Sequence, residues 1–414
     1  MQDVVIHIGA GMWQQKAILY SKDMGFKVIA VDIDPKYKDS ENIDYFILED
    51  IKNIKKISKS CVNIISKNNL TVKGVHCVSN EAGQISAAIL RDYFGLRGVS
   101  VNGAKFFTRK DMQRMGLKGN KFVKIPLYRV FKVVNSKSID NFFREVKSLN
   151  INKVIVKPVD SAGSRGICVF RMSEGTEVLY QMAKYSMNFS SVEMIIIEEF
   201  IEGEERTIET LTINGKSKLV AATKKFKVKN TNSTVSSSLE SIELSKSEII
   251  DFESFFNYLS YKTSEDDFVG HSEFIFDSSG KYWHVESACR GPGFGVFDEL
   301  IPLIYGIDSL LYSLKFETNT FNKTNIIRKE YSSALISFIP TKKGVIRSLV
   351  DLNDCANIQV CWIKEVGEQI LDPKTDSDRV ASVIVFNLDQ SKLHIKMSRA
   401  MKKIDIDVEV DCCS

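Results

Sequence analysis

Apolar positions in the first hundred residues fall into short continuous runs, each followed by a stretch with helical spacing. Val4–Ile8, Phe26–Val31, Tyr45–Leu48 and Gly74–Val78 predict buried strands. Ala17–Met24, about Ile51–Asn68 and about Ala82–Phe94 predict the helices between them. Strands buried on both faces and alternating with helices imply a doubly wound parallel α/β module over residues 1–102. Beyond Gly103 the pattern changes. One helix is expected over AKFFTRKDMQRMG, ending at Gly116, then an extended segment from Pro126 to Val134 and an amphipathic helix over Ile139–Leu149. A β-branched run, Val154–Val156, and a second apolar run, Ile167–Phe170, flank the polar loop Ser161-Ala162-Gly163-Ser164-Arg165-Gly166 and predict a hairpin. A helix over Thr176–Ser186 and a strand over Met194–Ile197 follow. Arg206–Ile213 and Lys218–Thr223 pair across Asn214-Gly215, a strong hairpin signal. Residues 229–241 are rich in Ser, Thr and Asn without apolar periodicity and read as a loop. A helix over Lys246–Tyr258 then leads to paired strands, Gly270–Phe276 and Tyr282–Glu286, and to a helical region ending near Phe316.

The clustering of Thr and Asn over 319–325 marks a boundary. The tail, with strands at Ala334–Ile339 and Ala381–Asn387 and a helix near Gln390–Met401, reads as a small α+β domain without a chemical motif. The whole is therefore an α/β and α+β multidomain chain, divided into 1–102, 103–322 with a lid over about 120–197, and 323–414.

Composition narrows the function only by exclusion. The chain has 414 residues, 44% hydrophobic and 26% charged, and 56 basic against 52 acidic residues leave a net charge of +4. That near-balance gives no reason to invoke nucleic acid or a membrane surface as the main partner. Eight cysteines show no CxxC spacing, so a zinc site has little support. The N-terminal residues look like a buried strand rather than a signal peptide, and a reducing cytoplasm is the default. Among five histidines, His271 and His284 flank a pair of strand glutamates, but no nucleophile–base triad is recognisable.

Candidate chemistry is spread along the chain. Gly9-Ala10-Gly11 with Asp32 approaches a dinucleotide fingerprint, but Gln14 stands at the third glycine position and Met12-Trp13 fills the turn. A tight strand-to-helix turn without a dinucleotide is favoured. Asn80 and Glu81 end the fourth strand, where open α/β sheets place ligands, although Asn is equally at home as a helix cap. The hairpin loop after Lys157 can bring backbone N–H groups to an anion, and it lacks the Gly-Lys-Ser/Thr of a P-loop. Glu198–Glu205 is either a solvated acidic turn or a ligand-facing segment. Glu273 and Glu286, on adjacent strands, can point the same way, and a divalent cation would remove their repulsion.

Lys157 with its Gly-bearing loop, Glu198–Glu205, and Glu273 with Glu286 and Arg290 together resemble the ATP-grasp superfamily of carboxylate–amine ligases, as in biotin carboxylase and L-amino acid ligases. The resemblance covers nearly the whole chain and implies a central ATP-grasp domain with a hairpin lid. It implies that Lys110 and Lys157 touch the phosphates of ATP, with Lys224 also in the cofactor site. The loop at Ser161, Gly163, Ser164 and Gly166 folds over them, its glycines allowing close backbone approach. Glu198 accepts from the adenine amino group, the Glu199-Phe200-Ile201 segment borders the ring, and Glu205 faces the ribose. Glu273 and Glu286 hold Mg²⁺ or Mn²⁺, and Arg290 is the catalytic residue that stabilises an acyl phosphate. One departure stands out: the usual Glu-x-Asn-x-Arg reads Glu286-Ser287-Ala288-Cys289-Arg290, so water, Ser287 or another oxygen must complete the shell, or a second metal binds weakly. The implied activity is ATP-dependent amide or peptide bond formation from a small carboxylate and an amine, by a homodimer. The alternatives are a carboxylase or nucleotide-pathway ligase of the same fold, or a nucleotide-binding protein without catalysis.

Overall fold

The computed structural model describes residues 1–227, 236–321, 333–339, 344–349, 357–370, 379–387 and 389–404, and the backbone of 406–409. Four parallel strands open the chain, in the spatial order Tyr45–Leu48, Lys27–Asp32, Gln2–Ile8, Leu70–His76. Val4, Val5, Ile6 and Ile8 are all buried, so the uninterrupted apolar run reflects burial on both faces, with helices Met12–Asp23, Ile54–Asn68 and Gln84–Tyr93 alongside. The turn after the first strand is closed by its own side chains. Gly9 has φ +104°, Gln14 folds back to donate to the Val78 carbonyl at 2.9 Å, and Asp32 accepts the Ala10 N–H at 2.7 Å.

The single helix expected over 104–116 is two, Val101–Thr108 and Lys110–Gly116, broken where Arg109 is extended (φ −122°, ψ 107°). Lys110 gives its N–H to the Val159 carbonyl at 2.8 Å, a tertiary bond that overrides helix continuation. The break orients Lys110 and Arg114 inward, and both are buried.

The lid is a four-stranded antiparallel sheet ordered Tyr128–Phe131, Ile195–Glu199, Lys153–Pro158, Cys168–Arg171. The hairpin register is Val154 against Phe170 and Val156 against Cys168, as the two apolar runs require. Helices Ser136–Ser148 and Thr176–Met187 cover one face, burying Phe142, Val146, Leu179 and Ala183 against Val154, Val156 and Ile197.

An eight-stranded sheet forms the floor. Its order is Tyr282–Ala288, Phe268–Phe276, Glu204–Ile213, Lys216–Lys227, Ser236–Ser241, Ser333–Phe338, Ala381–Asn387, Ile358–Trp362. The turn Asn214-Gly215 has φ +51° and +72°, as a two-residue hairpin demands. The expected loop over 229–241 is corrected over 236–241, which is a strand bonded on both sides; residues 228–235 lie outside the described residues. Four serines hide it from a propensity argument, and the neighbouring strands impose it. Strands on either side of the expected boundary at 319–325 thus belong to one sheet, because Leu239 pairs with Ile336. Helix Lys246–Thr263 packs Phe252, Phe255 and Phe256 onto the floor beneath Phe274. Gly344–Leu349, Gln369–Ile370 and Ile406–Glu409 form a small third layer of strands. Among the described residues no helix is long and apolar enough to cross a membrane.

Candidate active site

Two cavities meet at the strand glutamates. The first, about 850 Å³, lies between lid and floor. The second, about 1360 Å³, is bordered by the N-terminal module, the floor and the C-terminal strands. Ala162, Gly163, Lys225, Glu273 and Glu286 line both. Glu273 and Glu286 sit directly opposite one another on their antiparallel strands. Each carboxylate is shared with an ammonium: Lys225 Nζ lies 2.9 Å from Glu273 Oε1, and Lys110 Nζ lies 2.8 Å from Glu286 Oε2. Burial alone would raise both carboxyls, but Lys225 and His271 hold Glu273 well below the usual carboxylate range, and Lys110 holds Glu286 below it.

Behind the first cavity is a buried charge network. Arg114, fully buried, donates to Glu198 from Nε at 2.5 Å and from Nη2 at 3.2 Å, and Lys157 Nζ donates to the same carboxylate at 2.8 Å. Burial pushes the Glu198 carboxyl up, yet the two cations overcome this and bring it down to about 2. Arg114 also points Nη1 at His284 Nδ1, 2.7 Å away. An arginine only donates, so Nδ1 accepts, and Nε2 carries the hydrogen to Ser287 Oγ at 2.8 Å. Burial and the nearby Arg114 keep this imidazole neutral.

In the second cavity Arg290 donates from Nε to Glu81 Oε2 at 2.6 Å, tying the floor to the N-terminal module. His271 holds Glu209 through Nδ1 at 2.7 Å. Although burial opposes its charge, Glu209 and Glu273 raise its pKa to about 9. Phe294, between two glycines, has φ +59°, a strained conformation for an aromatic residue, and its ring lies 5.4 Å from that of Trp13. The Arg379 guanidinium stacks 3.5 Å from the Phe338 ring centroid and 4.5 Å from that of Phe294.

No curated protein matches the chain by sequence. A family model described as the ATP-grasp domain matches residues 151–297. Residues 151–297 are thus similar to an ATP-grasp domain. The whole chain shares its fold with several solved structures. An L-amino acid ligase from Bacillus licheniformis is 15% identical, with 99% of each chain covered and a TM-score of 0.79. A phosphoribosylglycinamide synthetase from Anaerococcus prevotii is 20% identical over 99% of this chain and 100% of the other, with a TM-score of 0.71. The biotin carboxylase domain of a 2-oxoglutarate carboxylase from Hydrogenobacter thermophilus, solved with MgADP, ADP and bicarbonate, is 16% identical over 98% of this chain and 91% of the other, with a TM-score of 0.74.

Against the ATP-grasp architecture, the structure gathers most of the residues singled out from sequence. Lys110, Lys157, Ser161, Gly163, Ser164, Glu198, Glu199, Phe200, Ile201, Glu205, Glu273 and Glu286 all line the first cavity, and Arg290 lines the second. Lys224 does not. Strand alternation turns it to the other face, where it pairs with Glu204, while Lys225 and Lys227 face the cavity and pair with Glu205 at 2.7 and 2.8 Å. Both Glu198 oxygens accept from Arg114 or Lys157, so the carboxylate serves as their counter-ion. The Glu199 and Phe200 N–H groups bond Leu127 and Lys153 carbonyls, whereas the Ile201 N–H has no protein acceptor among the described residues. Gly166 is outside the cavity wall. Its φ of +73° and the Phe189 ring, 2.7 Å from where a Cβ would sit, explain the glycine without a phosphate. Ser287 cannot complete a metal shell, because its hydroxyl is buried on the opposite face of the strand, bonded to Ser272 at 2.6 Å and to His284. Sequence reasoning missed Arg114, Trp283 and Lys225 in the first cavity, and Phe338 and Arg379 in the second. Arg114 had a usable signal, lying at i+4 from Lys110 on the same helix face.

Proposed function

We propose that the chain is an ATP-dependent carboxylate–amine ligase that forms an amide or peptide bond and releases ADP and phosphate. The observation that carries this reading is the position of Glu273 and Glu286 at the junction of a cation-lined cavity under a lid and a second cavity ending at Arg290. Two facing carboxylates are hard oxygen donors that fit Mg²⁺, and the bound ion would compensate phosphate charge at the junction. Lys110 and Lys157 hold the phosphates, and the apolar walls Ile155, Ile275 and Trp283 take the base, with the Ile201 N–H free to meet its edge. The loop at Gly163 shuts over the phosphates and excludes water. A substrate carboxylate in the second cavity attacks the γ-phosphate, giving an acyl phosphate and ADP. The amine then attacks the acyl carbon, and phosphate leaves from the tetrahedral species, whose charge Arg290 offsets. Catalysis rests on positioning and charge compensation, with no side-chain nucleophile. We also propose that the chain acts in the cytoplasm as a homodimer on small molecules.

The test is ADP release across a panel of carboxylates and amines. Release that needs both an acid and an amine is expected. Release with bicarbonate in place of the organic acid, together with a nitrogen acceptor, would favour a carboxylase instead. ATP binding without acceptor-dependent ADP would leave a binding protein, the outcome to which Ala288 lends weight.

A further inference from the structure

The paired glutamates have few oxygen donors beside them, and ammonium groups stand where more would be expected. Ser287 is turned away, and Ala288 has nothing to offer. The Gln113 amide accepts the Ser287 N–H at 2.9 Å and donates to the Phe106, Phe107 and Ser287 carbonyls. Thr207 is bonded to Thr223 at 2.7 Å, and His271 Nε2 stays 3.8 Å from Glu273. No group of three or more His, Cys, Asp or Glu side chains able to hold a metal occurs among the described residues. What remains is one oxygen on each glutamate, Glu273 Oε2 and Glu286 Oε1, because the other oxygen of each contacts Lys225 or Lys110.

Lys225 reaches its position across an intervening strand. It belongs to Lys216–Lys227, two strands away from Glu273, and its ammonium bridges Glu205 on the strand between at 2.7 Å and Glu273 at 2.9 Å. It lines both cavities, as the glutamates do. Mg²⁺ takes one or two carboxylates and fills its octahedron with water and phosphate oxygens, so one ion satisfies the two open oxygens. A second ion would have to share the same carboxylates, gain no further protein ligand and lie against an ammonium.

We infer that the site takes one divalent cation per bound nucleotide, and that the Lys225 ammonium occupies the charge position of a second. This rests on the nucleotide-and-metal reading above. It makes the site a mixed one, in which a fixed protein cation and a single exchangeable ion share the compensation of phosphate charge. Lys225 is then a group that touches the reacting phosphate, and the loss of a ligand at Ala288 ceases to be a defect.

The experiment is a Mn²⁺ titration of the full chain with saturating ADP, reading free Mn²⁺ by electron paramagnetic resonance. One ion bound per chain is expected for the wild type. The double variant Lys225→Met, Ala288→Asn, which removes the protein cation and adds a ligand, is expected to bind two. Two ions in the wild type, or one in a folded double variant, would overturn the inference. No bound Mn²⁺ at all would overturn the underlying metal reading as well, so the two failures are distinguishable without turnover. A second measurement needs no variant. Once ATP is saturated as its Mg²⁺ complex, excess free Mg²⁺ should leave kcat unchanged, and a severalfold activation by free Mg²⁺ would contradict a single-ion site.

Discussion

The two cavities are built in opposite ways. The cavity between lid and floor is made largely from three hairpins, Lys153–Arg171, Glu204–Lys227 and Phe268–Ala288, whose strands are neighbours in sequence. The larger cavity collects Glu81, Arg165, His271, Phe294, Phe338 and Arg379 from segments far apart in the chain. Local hairpins carry their register within a short stretch, so the first cavity is specified by a few compact blocks. The second depends on how whole segments dock. If the proposed division of labour holds, substrate choice can vary with those segments while the nucleotide end keeps its geometry.

Four substitutions would break or sharpen that contrast. Glu198→Gln leaves Arg114 and Lys157 buried without their counter-charge, and a loss of about 3–5 kcal/mol in urea unfolding is expected. A loss below about 1 kcal/mol would mean that the hairpin cavity does not depend on its buried network. The pH profile gives the sign. A carboxyl held at about 2 contributes stability above the ordinary carboxylate range, and that contribution disappears as pH falls from 4.5 towards 2. The variant should show a flatter profile over that window. Glu286→Gln should lower kcat by on the order of 10²–10³-fold, with a smaller loss of stability than Glu198→Gln because Glu286 is partly exposed and Lys110 keeps the Ser161 carbonyl. Unchanged turnover would remove the carboxylate pair from the mechanism. Glu81→Gln, on the other side of the divide, loosens Arg290. Michaelis constants for the acid or amine should rise about tenfold or more with ATP affinity unchanged. If ATP affinity falls instead, the two cavities are energetically one. Lys224→Met should change ATP affinity by no more than a few-fold, since its partner is Glu204 at the partly exposed face. A large loss would place Lys224 rather than Lys225 in the site.

Much of the fold was legible because period and turn chemistry agreed, as in the parallel strands around Val4–Ile8 and the hairpin at Asn214-Gly215. The misses have physical causes. Arg109 breaks a helix because the Lys110 N–H is captured by Val159, a bond between residues far apart in sequence. Ser236–Ser241 is a strand because neighbours on both sides supply its hydrogen bonds. Within the cavities, the structure brings expected residues together where a block of sequence carried them, as with Glu273, Glu286 and Lys157. Lys224 was the wrong one of two adjacent lysines, since sequence alone does not say which strand face turns to the cavity. Glu198 was correctly placed in the wall, but its partner Arg114 comes from a distant helix and changes what its oxygens can do. Arg379 gave no signal, because its neighbours Phe294 and Phe338 come from elsewhere in the chain.

The continuous floor sheet has a consequence for where this chain can be cut. Ser236–Ser241 is bonded on its outer side by Ser333–Phe338, so stopping the protein near residue 320 would not release a finished unit. It would bare a row of unpaired backbone groups along a serine-rich strand, a template on which another copy could dock. Expression of such a fragment should give aggregates or strand-exchanged oligomers, and Ser333–Phe338 serves as the selvedge that keeps the sheet from unravelling into its neighbours.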